Sequence, residues 1–355
     1  MRFLFWSFLL LFLAVRIFLY FTNKPHYSDG EKIRITDRVT SQPVRYTYSQ
    51  HISLAGFEVY LPLYPEVSYG DKVVVEGIVE GKKLSSPRLL TREEGKGVLY
   101  GLRKELLGFY QRSLPEPHAS LISGVTLGSK SGIPTDFWKV LTSTGTAHVV
   151  VASGLNVTLI AGFLMNFLIS FFPRRKAIPL ALAGIWSYSF ICGFDAPIIR
   201  AAVMGSLSLT AQKIGKLYDA WRALFLSALA MLLIKPDWIT DLGFALSFMA
   251  TASLMLFEPK VHHLIHFVPG FFKEGFSTSL AAQIGIAPIL FVTFGQFNIL
   301  SPLINAAILW TIPYITQIAL AAGLIGLVAE PLGRFILLLS YPLTSWFILV
   351  VDLFG

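Results

Sequence analysis

Beyond Pro117, apolar segments follow one another almost to the C-terminus, at about 146–172, 177–194, 198–212, 221–235, 239–257, 276–295, 301–328 and 335–353. An apolar helix of roughly 20 residues matches the hydrocarbon thickness of a bilayer, and no aqueous core absorbs so many in succession. With a further run from Phe3 to about Phe21, the segments amount to about nine membrane crossings, several of them short enough to be broken or re-entrant. Composition agrees, since 54% of the 355 residues are hydrophobic and only 14% charged, against roughly a quarter charged in soluble domains. The fold class is therefore a polytopic α-helical membrane protein, and disordered or fibrous classes are excluded. The single cysteine, Cys192, excludes an internal disulfide framework and any multi-cysteine metal centre.

The chain divides into four parts. Residues 1–27 read as an N-terminal transmembrane anchor, because Tyr20, Phe21 and Thr22 close the first run where small residues would mark a signal cleavage site. Residues 28–97 change to apolar/polar alternation at Lys32–Arg38, Val44–Ser49, Phe57–Leu61 and Lys72–Glu80, punctuated by Gly56, Pro62, Pro65, Gly70 and Gly81. That pattern predicts a small all-β domain, better as a closed OB-like barrel than as an open sheet. Arg45, Lys72, Lys82, Lys83 and Arg88, with Tyr60 nearby, suit phosphate neutralisation and base stacking, although a soluble domain also carries basic residues and core aromatics without binding anything. Residues 98–145 begin with an amphipathic helix over Leu99–Leu114, expected to lie on the membrane surface. Ser120, Gly124, Gly128 and Gly132 then recur every four positions, a bare helix face for tight packing or a re-entrant element lining a pore. Residues 146–355 form the multi-helix membrane domain.

Charge fixes an expected orientation. With the N-terminus inside, the cytoplasmic loops take Arg174, Arg175 and Lys176, then Lys213, Lys216 and Arg222, then Lys260 and Lys273, then Arg334, while the outer loops hold little more than Lys235. This asymmetry places the β-domain outside the cytoplasm and assigns much of the net charge of +8 to topology.

Polar residues at membrane depth are the candidate site. Thr146–Thr158 places His148, Ser153, Gly154, Asn156 and Thr158 at the entrance of an apolar segment. A helix break at Ser153-Gly154 would free backbone groups tolerated only against protein or a water-filled cavity; interhelical hydrogen bonding is the plainer alternative. As an acyl-transfer site the stretch is poor, because Ser153 lacks a G-x-S-x-G elbow and no acid is placed to orient His148. Asp195 and Arg200 stand at and just inside a membrane entry, where Arg200 either holds a phosphate or pairs with Asp195 or Asp241. Asp241, Ser247 and Asn305 add an acid and two neutral polar groups that a cap or an interhelical bond also explains. The histidines His262, His263 and His266 lack a carboxylate pattern for a metal, and Gly77–Lys83 is one residue short of a phosphate loop, so neither a metal, a cofactor nor ATPase activity is expected.

Together the stretches His148–Asn156, Pro197–Met204, Gly243–Phe248 and Phe294–Asn305 resemble the ComEC competence family, inner-membrane channel proteins of bacterial DNA uptake, and the order of anchor, OB-like domain and membrane domain is similar as well. Asn156 stands where the family usually has a second histidine. Many members continue into a metallo-β-lactamase-like domain thought to degrade one strand; these 355 residues hold no H-x-H-x-D-H sequence, and no nuclease or other enzyme activity is expected of them. The resemblance implies a multi-pass protein of the bacterial inner membrane that conducts single-stranded DNA, with a DNA receptor, a cytoplasmic helicase-like ATPase and a separate nuclease as partners. A secondary transporter or export channel for another anionic solute is the alternative.

Overall fold

The computed structural model describes every residue but Met1, His26, Thr47, Ala152, Phe267, Gln296 and Phe297, together with all side chains except those of residues 2–5, 271 and 294. Ala152, Gln296 and Phe297, which fall within the motif stretches quoted above, thus lie outside the described residues.

The anchor is a helix, α1 (Arg2–Asn23). The β-domain follows as β1 (Lys32–Arg38), β2 (Val44–Arg45), β3 (Ser49–Leu54), β4 (Phe57–Pro62), β5 (Lys72–Glu80) and β6 (Lys83–Glu93), in a single sheet ordered β1-β5-β6-β4-β3-β2. Alternation drives Ile33, Ile35, Ile52, Leu54, Val59, Leu61, Val73, Val75, Val79 and Leu84 into one core. Strands β1 and β3 are not neighbours in the sheet and yet touch, so the sheet curls back over that core. No ladder joins β1 to β2 among the described residues, so the described sheet is a curled six-stranded one with β1 and β2 at its edges. Two strands differ from the expected set. The run expected at Val44–Ser49 gives β2 only at Val44–Arg45, with β3 beginning at Ser49, and β6 has no counterpart among the expected strands because Ser85-Ser86-Pro87 breaks its alternation. In the structure these residues form a bulge in a continuous strand: Ser86 takes φ +49° opposite Gly77, and pairing shifts between Glu76 and Ile78.

The helical part begins with α2 (Val98–Ser113) and α3 (His118–Leu127). The apolar face of α2 is turned into protein, burying Leu106, Phe109 and Tyr110, and every residue of α3 is buried. Only Ser120 and Gly124 of the four-residue series share a helix, because Gly128 ends α3 in a left-handed conformation (φ +69°) and Gly132 lies in a turn. The tight-packing reading of Gly124 holds: a Cβ there would sit 2.4 Å from the Val150 carbonyl oxygen. Next come α4 (Thr135–Ser143), α5 (Ala147–Val150), α6 (Gly154–Ile169), α7 (Arg174–Cys192), α8 (Ala196–Lys213), α9 (Ala220–Ile234), a 3₁₀ turn (Pro236–Thr240), α10 (Leu242–Leu264), α11 (Gly270–Phe294), α12 (Ser301–Ile308), α13 (Thr311–Gly326), α14 (Glu330–Leu338) and α15 (Tyr341–Phe354). The main helical core joins α2 and α3 to α12, α13 and α15, and α6, α7 and α8 form a second apolar cluster.

Among the described residues, Trp6–Asn23, Ala147–Ile169, Leu242–Leu264 and Phe272–Thr293 are long and apolar enough to cross a bilayer. The pairs α12 with α13 and α14 with α15, bent by 45° and 46°, raise that number from four to six. The larger number expected from the sequence counted α9, which has 15 residues and so rises only ~22 Å, α7, whose first turn holds Arg174, Arg175 and Lys176, and α8, which carries Arg200 and ends in Gln212-Lys213.

Candidate functional site

Arg200 lies on α8, in an apolar stretch, and its guanidinium turns toward α10. There Nε donates to Ser247 Oγ at 2.8 Å and Nη1 donates to Thr251 Oγ1. Ser247 and Thr251 are one helical turn apart, so both hydroxyls line the same face of α10. The third nitrogen, Nη2, faces the start of α6, where a Cβ on Gly154 would be 2.7 Å away. Glycine at 154 thus leaves room for the end of the Arg200 side chain, and its backbone conformation is one that other residues also adopt. No carboxylate pairs with Arg200 among the described residues, which rules out the ion pair with Asp195 or Asp241. Asp195, at the start of α8, is instead set among the charges of Lys130, Asp241, Arg103 and Lys235. Asp241 caps α10, its Oδ1 accepting from Phe244 N at 2.7 Å.

The break expected at Ser153-Gly154 is present: α5 ends at Val150 and α6 starts at Gly154, and the Ser153 side chain makes no capping bond. The first N–H groups of α6 therefore open beside Arg200, a positive helix end next to a positive side chain. Asn156, one turn into α6, is buried and donates from Nδ2 to the Val125 carbonyl at 2.6 Å, tying α6 to α3, while its Oδ1 has no partner among the described residues.

His148 and Asn305 belong to a second polar seam. The His148 Nδ1 lies 2.9 Å from the Gly145 carbonyl, which only accepts, so Nδ1 carries the hydrogen. The same carbonyl accepts from Ser301 Oγ at 3.5 Å, and Asn305 Nδ2 donates to Ser301 Oγ at 3.2 Å and Ser279 Oγ at 2.8 Å. Asn298 extends the seam by donating to the Ser143 carbonyl at 2.8 Å, and its own carbonyl accepts from Gln283 at 2.9 Å. The structure thus gathers Arg200, Gly154 and Ser153 at one place and His148 and Asn305 at another, and leaves Asp195 and Asp241 out of contact with Arg200.

The nominated cations of the β-domain do not form one patch. Arg45 pairs with Glu66 at 3.3 Å, and Arg88 stands across the ladder from Glu76, which also takes Lys32 at 2.7 Å and Arg34 at 3.2 Å. Those two cations, bonded to its carboxylate, hold Glu76 below the usual carboxylate range. Lys72 begins β5, and Lys82 and Lys83 open β6, where Lys83 Nζ sits 5.9 Å from the centre of the Tyr60 ring. Residues 28–97 hold ten Lys and Arg against ten Asp and Glu, so the domain as a whole has no basic excess.

Sequence reading missed the joint between the two parts. Arg103, placed by its spacing on the polar side of α2, is 4% exposed; it donates to the carbonyls of Leu127 (2.6 Å) and Ile191 and to Gln42 Oε1 (2.8 Å). Gln42 Nε2 in turn donates to the Cys192 carbonyl at 3.3 Å, and Tyr69 OH to the Phe190 carbonyl at 3.2 Å. The carbonyls at the ends of α3 and α7, which a helix leaves unpaired, are thereby satisfied by the β-domain and α2. Thr251 was legible in principle, as the residue one turn beyond Ser247.

Fold and site together define a multi-span helical membrane protein in which an arginine is held between helices by neutral hydroxyls and a β-domain docks at one end. A family model described as "Competence protein" matches residues 125–355, and the chain belongs to that family. Among curated proteins it is 26% identical over 261 residues to ComE operon protein 3 of Bacillus subtilis, covering 73% of this chain and 32% of that protein. It is 27% identical over 221 residues to Competence protein ComA of Neisseria gonorrhoeae, covering 58% and 30%. The chain thus spans about a third of the length of these relatives. No solved structure matches.

Proposed function

We propose that this chain forms part of a conduit for single-stranded DNA in a bacterial inner membrane, with the β-domain, an OB-type module, outside the cytoplasm. One observation carries the reading: Arg200 is embedded among helices with no carboxylate paired to it among the described residues, held by neutral hydroxyls, with Nη2 close to Gly154 at the start of α6. An arginine within a membrane helix costs up to ~2.5–3.5 kcal/mol on insertion scales, the upper figure applying at the helix centre, and a positive helix end beside it adds repulsion. Both terms are relieved when an anion enters, and a phosphodiester offers the paired oxygens that a guanidinium fork binds. Membership of the competence family supports DNA as the source of that phosphate. Passage would be driven by a separate cytoplasmic helicase-like ATPase, supplied by a DNA receptor and preceded by a separate nuclease.

The even charge balance of residues 28–97 favours keeping a second reading, a transporter of a smaller anion. Purified chain in nanodiscs should bind a labelled single-stranded oligonucleotide with an affinity that falls steeply with salt, and Arg200→Ala should weaken it by on the order of ten-fold, with Arg200→Lys between the two. Binding insensitive to both salt and Arg200→Ala would exclude the DNA reading; uptake of a small labelled anion that DNA does not inhibit would favour the second.

A further inference from the structure

Outside the helices, the outer face of β3 and β4 carries a group of aromatic rings that the core does not use. His51 and Tyr60 face each other across the ladder with ring centres 4.8 Å apart, and Tyr46, just beyond β2, lies 6.2 Å from Tyr60. The inward neighbours Val59 and Leu61 take the core positions, and the rings of Tyr46 and Tyr60 are left 46% and 39% exposed. Lys83 stands level with Glu58 on the adjacent strand, and its ammonium lies over the Tyr60 ring. A second cation, Lys130, in the turn after α3, is close enough to act electrostatically both on His51 and on Asp195 at the start of α8. Among the described residues, Glu58 is the acid whose charge acts on His51.

We infer that Tyr46, His51 and Tyr60, with Lys83 beside them, form a stacking platform for a base of single-stranded nucleic acid. The inference rests on the proposed handling of single-stranded DNA and adds the site at which a base is first held. Exposed ring faces with a flanking ammonium match the two surfaces of a nucleotide, a flat base and an anionic phosphate. Without a basic excess in the domain, stacking rather than bulk charge supplies the grip. The contribution of a stacked base is tolerant of sequence and independent of salt, whereas that of phosphate contacts is not.

The test uses the full chain in nanodiscs and two probes of equal length, an oligo-dT strand and its abasic counterpart. Tyr60→Leu should weaken oligo-dT binding by about ten-fold, leave abasic binding and the salt slope unchanged, and be rescued by Tyr60→Phe. Because Tyr60 is an outer-face residue the fold should tolerate the change; as a check on unaltered protein, a strand carrying 2-aminopurine should lose fluorescence on binding as its base stacks. Equal binding of oligo-dT to wild type and Tyr60→Leu, or 2-aminopurine emission unchanged in the complex, overturns the platform while Arg200→Ala still tests the conduit. Absence of any single-strand binding overturns both.

Discussion

His51 carries its environment most directly into a measurable property. Its ring rests against Tyr60 and its Nε2 is buried without a hydrogen-bond partner, so burial pulls its pKa below 6.5; Lys130 and Lys83 push the same way and Glu58 opposes them. The folded chain therefore keeps the ring neutral at pH values where an unfolded histidine, ionising near 6.5, has begun to bind a proton. With the folded pKa depressed, His51 leaves stability unchanged above that value and disfavours the fold increasingly as pH falls through it. Melting of the full chain at about pH 8 and about pH 5.5 should show a larger drop for wild type than for His51→Gln, and equal drops would show that the ring takes up its proton without penalty. Residues of this kind are only half legible in sequence. Arg200 stood out because a guanidinium in an apolar segment is rare, but its partners were out of reach: hydroxyls on α10 replaced the expected acids, since nothing local tells which face of one helix meets another. Arg103 was hidden for the opposite reason, its charged type suggesting solvent where the fold supplies helix-end carbonyls.

At the scale of elements, periodicity served where one face meets one core. The strands β1, β4 and β5 lie where alternation places them, the break before α6 falls where Ser153-Gly154 suggests, and Asp241 caps α10. Periodicity failed where an irregular residue sits inside a regular element, as at Ser86-Pro87 within β6, and where an amphipathic helix has protein rather than lipid against its apolar side, as in α2. The fit of α2 on α13 shows why: Cβ atoms at Gly323 and Gly326 would meet Tyr110 and Phe109 at 2.8 Å and 2.5 Å, so small residues 200 positions downstream create its groove. Gly124 makes the corresponding contact between α3 and α5. Replacing it with alanine forces a methyl to within 2.4 Å of the Val150 carbonyl, which is backbone and cannot turn aside. Overpacking of this kind costs ~1–3 kcal/mol, so Gly124→Ala should lower the melting temperature in detergent, whereas Gly205→Ala, with open space around it on α8, should not. Equal effects would mean that α5 shifts freely.

The paired helices α7 and α8 gather a cluster of cations at one end. Arg174, in the first turn of α7, donates to Gln212 near the end of α8 at 2.9 Å, which sets Arg174, Arg175, Lys176, Lys213 and Lys216 at one end of that helix pair. The other end, one α8 length away at 18 residues and so ~27 Å, holds Asp195 and the carbonyls of Phe190 and Cys192 on which Tyr69 and Gln42 of the β-domain dock. The end of α1 arrives at that same level, because Tyr20 and Lys24 bond Asp237, whose turn leads into α10 beside α8. Separation by about a hydrocarbon thickness of a cationic end from an end bearing the soluble domain is what the positive-inside rule requires of a protein whose β-domain has crossed the membrane. With the buried Cys192 left in place, Glu80→Cys in the β-domain and Lys216→Cys between α8 and α9, both exposed, should report opposite sides. In intact cells stripped of any outer membrane, a membrane-impermeant maleimide should label Glu80→Cys at once and Lys216→Cys only after permeabilisation. Labelling of both from outside would contradict the separation; the reverse order would keep the end-to-end arrangement, invert the orientation and put the aromatic platform on the cytoplasmic side, where it would meet a strand leaving the membrane rather than one entering it.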